Sequence, residues 1–324
     1  MRHAILATVL LTTFAHTLPA QGAPSLAHAK QLFDARNWEA AKQQYTALAR
    51  TTPNDVTPLL YLGRIALAQN EIEEGIRQFE HCVAIDDRNA DCHAWLGNAL
   101  GSAAQRANKF KLPFLAKRTQ KEFDRAVELD PANIEGRMGK LQYFLYAPGF
   151  LGGSAEKARE QAAEMEKHNK LRGALAYGMI ADHEKNPRES EAAYQRAITL
   201  APDSTAGYYG LLNTYVRDKR WPDAFAVLDR VLVRLPTEQS ALLAIARVAY
   251  LSGEQLAKGE DAARRWIANP PVDASTNTRA VAHFRLGNIY EKTSRRDLAK
   301  AEYEKASSLW PKNDDIRKAL DGVK

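Results

Sequence analysis

The feature that most constrains this chain is a repeat of about 34 residues that runs through almost its whole length. A small residue recurs at Ala41, Gly75, Ser190, Ala224 and Ala299. A larger residue follows each of them, at Tyr45, Phe79, Tyr194, Leu228 and Tyr303, and the third unit has Phe123 there. Prolines close the units at positions 53, 131, 202, 236, 270 and 311. Apolar residues spaced in this way form one face of each helix, which neighbouring units must bury by stacking.

The repeat predicts one continuous all-α solenoid over residues 21–324, and not two domains. Units are expected to start near residues 22, 56, 90, 134, 171, 205, 239 and 280. A polar helix from residue 314, with Ile316 and Leu320 turned inward, is expected to cap the last unit.

The pattern, with its Leu-Gly pairs at 62–63, 96–97 and 286–287, resembles the tetratricopeptide repeat. That resemblance implies about eight helix pairs in a right-handed superhelix. The segments KEFDRAVELDPANIEGR (121–137) and FLYAPGFLGGSAEKA (144–158) also resemble a group of exported bacterial repeat proteins. This second resemblance implies a shared architecture and no particular activity.

Residues 1–20 have the pattern of a signal peptide, with Arg2, an apolar run from Ala4 to Ala15, and a small-residue cleavage point at Ala20. We therefore expect an exported protein, in the periplasm or secreted. The net charge of +6 is weak evidence for a polyanionic partner, and export argues against nucleic acid.

The resemblance places the first helix of each unit on the concave side, with the ninth residue of the unit facing the groove. These residues are Lys30, Arg64, Asn98, Gln142, Met179, Asn213, Arg247 and Asn288. Nearby aromatic residues are Tyr61, Trp95, Tyr209, Tyr250 and Phe284. The row predicts a groove that binds an extended peptide through amide and guanidinium groups. The alternative is a row of solvated side chains in an empty groove.

Residues 105–121 form a basic insertion without any acidic residue. Its cations are Arg106, Lys109, Lys111, Lys117, Arg118 and Lys121, interleaved with Phe110, Phe114 and Leu115. Such a segment could contact anionic lipid or glycan. The alternative is a lengthened, solvated helix with a kink at Leu112-Pro113.

A glycine-rich run in unit four, including Gly149, Phe150, Gly152 and Gly153, precedes Ser154, which is expected to cap a helix. A phosphate-binding loop would require Lys and then Ser or Thr directly after the last glycine. Here Gly153 is followed by Ser-Ala-Glu-Lys, so that order is absent. An extended turn between helices is expected, and a partner-contacting loop is the alternative.

Cys82 and Cys92 flank a tight connection between two helices, so they form either a disulfide or two small core residues. Zinc binding by these residues with His81 and His93 would need four convergent ligands, which adjacent helical positions do not provide. Without a catalytic motif such as G-x-S-x-G or HExxH, the sequence predicts a non-enzymatic protein without a cofactor. It leaves the partner and the oligomeric state open.

Overall fold

A computed structural model describes residues 24–272 and 274–323, and this part of the chain contains helices and turns but no strand. The predicted signal peptide lies outside the described residues. The described part has seventeen α-helices. In chain order they are α1 Leu26–Asp34, α2 Trp38–Thr51, α3 Thr57–Ala68, α4 Ile72–Ile85, α5 Ala90–Arg106, α6 Leu112–Leu129, α7 Ile134–Tyr146, α8 Ala155–His168, α9 Lys170–His183, α10 Pro187–Leu200, α11 Thr205–Arg217, α12 Trp221–Arg234, α13 Gln239–Ser252, α14 Leu256–Ala268, α15 Thr276–Lys292, α16 Arg296–Leu309 and α17 Asp314–Gly322. None of these helices is both long and apolar enough to cross a bilayer.

Sixteen of the helices form eight consecutive pairs, from α1 with α2 to α15 with α16, and α17 packs against α16. Each helix also packs against the next one along the chain. The expected all-α solenoid of about eight helix pairs with a C-terminal capping helix is therefore confirmed.

The first helices of the pairs form the inner wall of the solenoid. Helix α3 contacts α5, α5 contacts α7, α7 contacts α9, α9 contacts α11, and α13 contacts α15. No comparable packing joins the second helices of successive pairs within the described residues. Because the first helices lie closer together, the solenoid curves with these helices on its concave side.

Aromatic side chains from second helices pack against glycines of first helices, which explains the alternation of small and large residues in the repeat. Tyr194 lies between Gly178 and Gly210, and a Cβ on either glycine would come within 2.5 and 2.3 Å of Tyr194 Cε1. Tyr194 is buried, and its hydroxyl donates to Asp182 Oδ2 at 2.9 Å. The repeat thus brings helices close enough to hold one ring between two backbones.

Units three and four depart from the regular spacing. Helix α5 continues to Arg106, and α6 starts at Leu112 after a short connection. Pro113 lies in the first turn of α6. Backbone N–H groups in the first turn of a helix have no intrahelical acceptor, so a proline there breaks no hydrogen bond. The alternative of one lengthened helix with a kink at Leu112-Pro113 is therefore wrong, because Pro113 lies at the start of a separate helix.

Candidate partner-binding groove

Three residues of the predicted groove row are exposed on the inner wall, and their side chains make no hydrogen bond within the described residues. They are Gln142 on α7, Asn213 on α11 and Arg247 on α13. Each lies on the first helix of its pair, so the repeat spacing places them along one face. Their amide and guanidinium groups are available to a partner.

Other members of the row are engaged within the protein. Arg64 places its guanidinium carbon 4.7–4.8 Å from the ring centroids of Phe33, Tyr61 and Trp95. Asn98 Nδ2 donates to Glu135 Oε1 at 2.7 Å.

Asn288 is engaged at the other end of the groove, where it donates to the Phe284 carbonyl and accepts from the Tyr303 hydroxyl. The row is therefore a mixture of free donors and residues that hold the inner helices together.

The predicted aromatic residues are half-buried and serve packing as well as the groove. Tyr61 stacks on Tyr45 with ring centroids 4.8 Å apart, and Phe284 packs against Tyr303 at 5.8 Å. Burial of its hydroxyl raises the pKa of Tyr209 well above its usual value.

The groove widens into a pocket of about 760 Å³ between units three and four. Its walls come from α5, α6, the connection between these two helices, α7, the connection after α7, and one residue of α9. The lining residues are Trp95, Asn98, Gly101, Ser102, Ala104, Gln105, Ala107, Leu112, Ala116, Thr119, Phe123, Glu135, Gly139, Gln142, Tyr143, Tyr146, Ala147, Pro148, Leu151 and Met179. The ninth residues of three successive units, Asn98, Gln142 and Met179, thus meet at one site.

The glycine-rich run forms one wall of this pocket. Gly149–Leu151 is a single 3₁₀ turn, and Gly152 follows it with φ +97°, a conformation that favours glycine. The Tyr143 hydroxyl donates to the Leu151 carbonyl and ties the run to α7.

The end of the run is fixed by close packing and by a helix cap. A Cβ at Gly153 would lie 1.9 Å from the Ala147 carbonyl oxygen. Ser154 caps α8 by accepting from the Lys157 N–H at 3.2 Å, as its position before the helix predicts. Phe150 is 83% exposed at the tip, where a partner can reach it.

The basic insertion spans the end of α5, the connection and the start of α6. On α6, Leu112, Ala116 and Thr119 face the pocket, whereas Lys117 and Lys121 project from the opposite, exposed side. Phe110 and Phe114 are 81% and 65% exposed.

The cations of the insertion differ in their partners. Arg118 pairs with Glu80 at 2.7 Å, and Arg106 donates to Asn70. The four lysines of the insertion make no ion pair within the described residues; they are Lys109, Lys111, Lys117 and Lys121. The sequence therefore identifies these residues as basic and exposed. It does not show that the lysines of α6 lie on the side of the helix opposite to the pocket.

Cys82 and Cys92 form a disulfide in the structure, with Cα atoms 5.8 Å apart. It joins α4 to α5, and both residues are fully buried. The imidazole of the neighbouring His93 pairs with a carboxylate, and its Nδ1 lies 2.6 Å from Glu122 Oε2. Of the alternatives left open by the sequence, the structure has the disulfide.

Sequence reasoning missed several residues of the groove. Glu135, Gly101 and Thr119 line the pocket but lie away from the ninth position of their units. Arg285 on α15 donates to the Leu243 carbonyl at 2.7 Å, and burial lowers the pKa of Arg285 to about 10, so it stays a cation at neutral pH. Gly101 lies one helical turn after Asn98, and Glu135 lies two turns before Gln142, so a search of the same helix face over two turns would have found both residues.

Comparisons with known proteins agree with this geometry. Models of the tetratricopeptide repeat match residues 26–90, 182–239 and 280–313. The interval between the first two matches contains both the basic insertion and the glycine-rich run. A search of curated proteins found no match.

The solved structures that match this chain have low sequence identity to it. A tetratricopeptide repeat protein from Parabacteroides merdae is 13% identical, with a TM-score of 0.49, over 92% of this chain and 96% of that one. A thermophilic protein of the same repeat from Thermus thermophilus is 16% identical, with a TM-score of 0.53, over 59% of this chain and 97% of that one. A chain of the APC/C hetero-tetramer Cut9-Hcn1 is 12% identical, with a TM-score of 0.53, over 92% of this chain and 55% of that one.

Stacked helix pairs with a continuous inner groove define a superhelical repeat scaffold. The repeat is the tetratricopeptide repeat, and the chain is a tetratricopeptide repeat protein. This fold is typical of proteins that mediate protein–protein interactions.

Proposed function

We propose that this protein is an exported scaffold that binds an extended segment of a partner protein in its concave groove. The observation that carries the proposal is the set of free donors on the inner wall, Gln142, Asn213 and Arg247. Exposed amide and guanidinium groups on one face can bond the backbone and carboxylates of an extended chain. No catalytic role is assigned to any of these residues.

The C-terminal half of the groove supplies the positive charge for such a partner. Arg247 is exposed, and its charge is close enough to Arg285 to disfavour the charged state of that residue. Neither arginine has a salt bridge within the described residues. An acidic side chain of the partner would relieve this repulsion, so we expect it to bind at units seven and eight.

The groove is tested by the double variant Asn213→Ala with Arg247→Ala. Affinity capture from envelope extract with the wild type and this variant in parallel should show a partner whose retention falls about tenfold or more in the variant. A matched control replaces two exposed residues of second helices, Gln195→Ala and Lys300→Ala. Equal retention by all three proteins would remove the groove as the binding surface.

The proposed location is the periplasm, and it rests on the signal-peptide pattern of residues 1–20. The test is cell fractionation of the full chain and of a chain that lacks these residues. The proposal expects the full chain in the periplasmic fraction, shortened at its N-terminus, and the truncated chain in the cytoplasm. A full-length chain in the cytoplasm contradicts it.

A second function is favoured by the exposed surface of the basic insertion. Phe114 lies on the side of α6 away from the pocket, Phe110 is exposed in the connection before α6, and the lysines around them make no ion pair within the described residues. Aromatic rings beside cations suit the headgroup region of an anionic membrane. We propose that this surface attaches the scaffold to anionic lipid.

Sedimentation with anionic vesicles tests the second function. The variant Lys117→Gln with Lys121→Gln should reduce the bound fraction severalfold, and added salt should do the same to the wild type. Lys300→Gln, which removes an exposed lysine elsewhere, serves as the control. Binding to a soluble anionic glycan but not to vesicles, or no salt-sensitive binding, rejects the lipid proposal.

A further inference from the structure

The pocket between units three and four contains a glycine that internal packing does not require. Inside the helices, Gly63, Gly97, Gly139, Gly178, Gly210 and Gly287 each place a built Cβ 2.1–2.6 Å from an aromatic ring. Gly101 on α5 differs, because its Cβ would meet only Thr119 Cγ2, at an ordinary 3.6 Å. Glycine inside a helix is less favourable than alanine, because the backbone at glycine loses more conformational freedom. The absence of a side chain at Gly101 leaves open space in the pocket.

A second observation at the same site is an unsatisfied polar group. Thr119 lines the pocket, is 3% exposed, and its Oγ1 has no hydrogen-bond partner. Buried hydroxyl groups are normally paired, so an unpaired one marks a place where a partner group is missing.

The chemistry of the lining restricts what can enter. Glu135 is the sole charged residue among the described residues of the lining, and Asn98 already donates to it. The walls are otherwise aromatic, aliphatic or small, including Trp95, Tyr143 and Leu112. With no cation to balance a second negative charge, an acidic side chain is repelled. The volume of about 760 Å³ is in the range of ligand pockets and exceeds the needs of a small side chain.

We propose that this pocket binds a bulky, uncharged apolar side chain of the partner segment, whose neighbouring backbone bonds to Asn98, Gln142 and the Thr119 hydroxyl. This inference rests on the proposed function of the groove and names the side chain that the groove selects. The glycine-rich run supplies one wall through Pro148 and Leu151. Regular repeats lack this wall, so the specificity comes from units three and four.

A random-peptide display library selected against the purified protein provides the probe. The strongest peptides are then synthesised, and their Kd is measured for the wild type, Gly101→Leu and the control Ala192→Leu. Ala192 is exposed on α10, so the control adds the same side chain to a helix away from the groove. Thermal unfolding of both variants checks folding, and Ala104→Leu fills the same pocket from another position.

The inference predicts peptides that share a bulky apolar residue, whose replacement by Glu raises Kd about tenfold or more. Gly101→Leu and Ala104→Leu should raise Kd by a similar factor, while Ala192→Leu leaves it unchanged. Peptides that share Lys or Arg instead, or that bind Gly101→Leu and Ala104→Leu as well as the wild type, overturn the inference and leave the groove proposal standing. A library without any binder to the wild type contradicts both.

Discussion

At the scale of single residues, the same sequence position serves different purposes in different units. The ninth residue is exposed at Asn213 and Arg247, but at Arg64 its guanidinium lies against three aromatic rings. Cations over aromatic faces are attracted by the ring quadrupole, so Arg64 stabilises the inner wall between units one and three. Its buried Nε has no hydrogen-bond partner, in contrast to the solvated donor expected from the repeat.

A prediction at the residue scale concerns His93, which is buried between two acceptors. Its Nδ1 lies 2.6 Å from Glu122 Oε2 and its Nε2 lies 3.0 Å from the Asp87 carbonyl oxygen. The hydrogen bond to Glu122 is the main cause that raises the pKa of His93, because the imidazolium can donate to both acceptors. The folded pKa lies above the unfolded value, so this stabilisation is complete below the unfolded pKa of about 6.5. It is lost as pH rises through the folded pKa.

The measurement is the unfolding free energy of the wild type and of His93→Gln across this pH range. The difference between the two proteins should be largest at the acidic end and should shrink as the pH rises. A pH-independent difference would show that the His93–Glu122 pair does not titrate with folding.

At the scale of helices, the turn after α7 and the gap between α5 and α6 shape the site. The Tyr143 hydroxyl holds the glycine-rich run against α7, and Gly153 permits the chain to pass the Ala147 carbonyl. Pro113 fixes the start of α6, which turns Leu112 and Ala116 toward the pocket. Two local irregularities, each unremarkable in a sequence, therefore form opposite walls of one cavity.

The packing of helices predicts opposite effects for two glycine-to-alanine substitutions. Gly178→Ala places a Cβ 2.5 Å from the ring of Tyr194 and should destabilise the protein by roughly 1–2 kcal/mol, after the gain in helix propensity. Gly101→Ala has room and should stabilise it by up to about 1 kcal/mol. Denaturant unfolding of both variants measures these values. The same sign for both substitutions would contradict the packing argument.

At the scale of the whole molecule, stability passes from one unit to the next through shared apolar faces. The last unit is closed by α17, whose Ile316 packs with Ala280 and Ala306. Arg296 also donates to the Gly322 carbonyl at 3.0 Å. Since each unit contacts only its neighbours, an uncapped end is expected to open first.

This expectation is tested with Ile316→Ala, which removes buried atoms from the cap. We expect a loss of roughly 2–3 kcal/mol and faster amide hydrogen exchange in α15 and α16 before the N-terminal units. Ala319→Gly, a change on the same helix, controls for the helix propensity of α17. Uniform acceleration of exchange throughout the solenoid would show that it unfolds as a single cooperative unit.

The sequence by itself determined the fold class, because a repeat of apolar positions leaves helix stacking as the way to bury each face. The resemblance also predicts that Trp95, Asn98 and Gln142 lie on the groove side, and helical spacing sets which residues of each helix share that face. Only the tertiary structure decided which donors stay free and where the pocket lies. Those outcomes depend on contacts between helices, such as Asn98 with Glu135 and Thr119 beside Gly101. The repeat pattern of a single unit contains no information about such contacts.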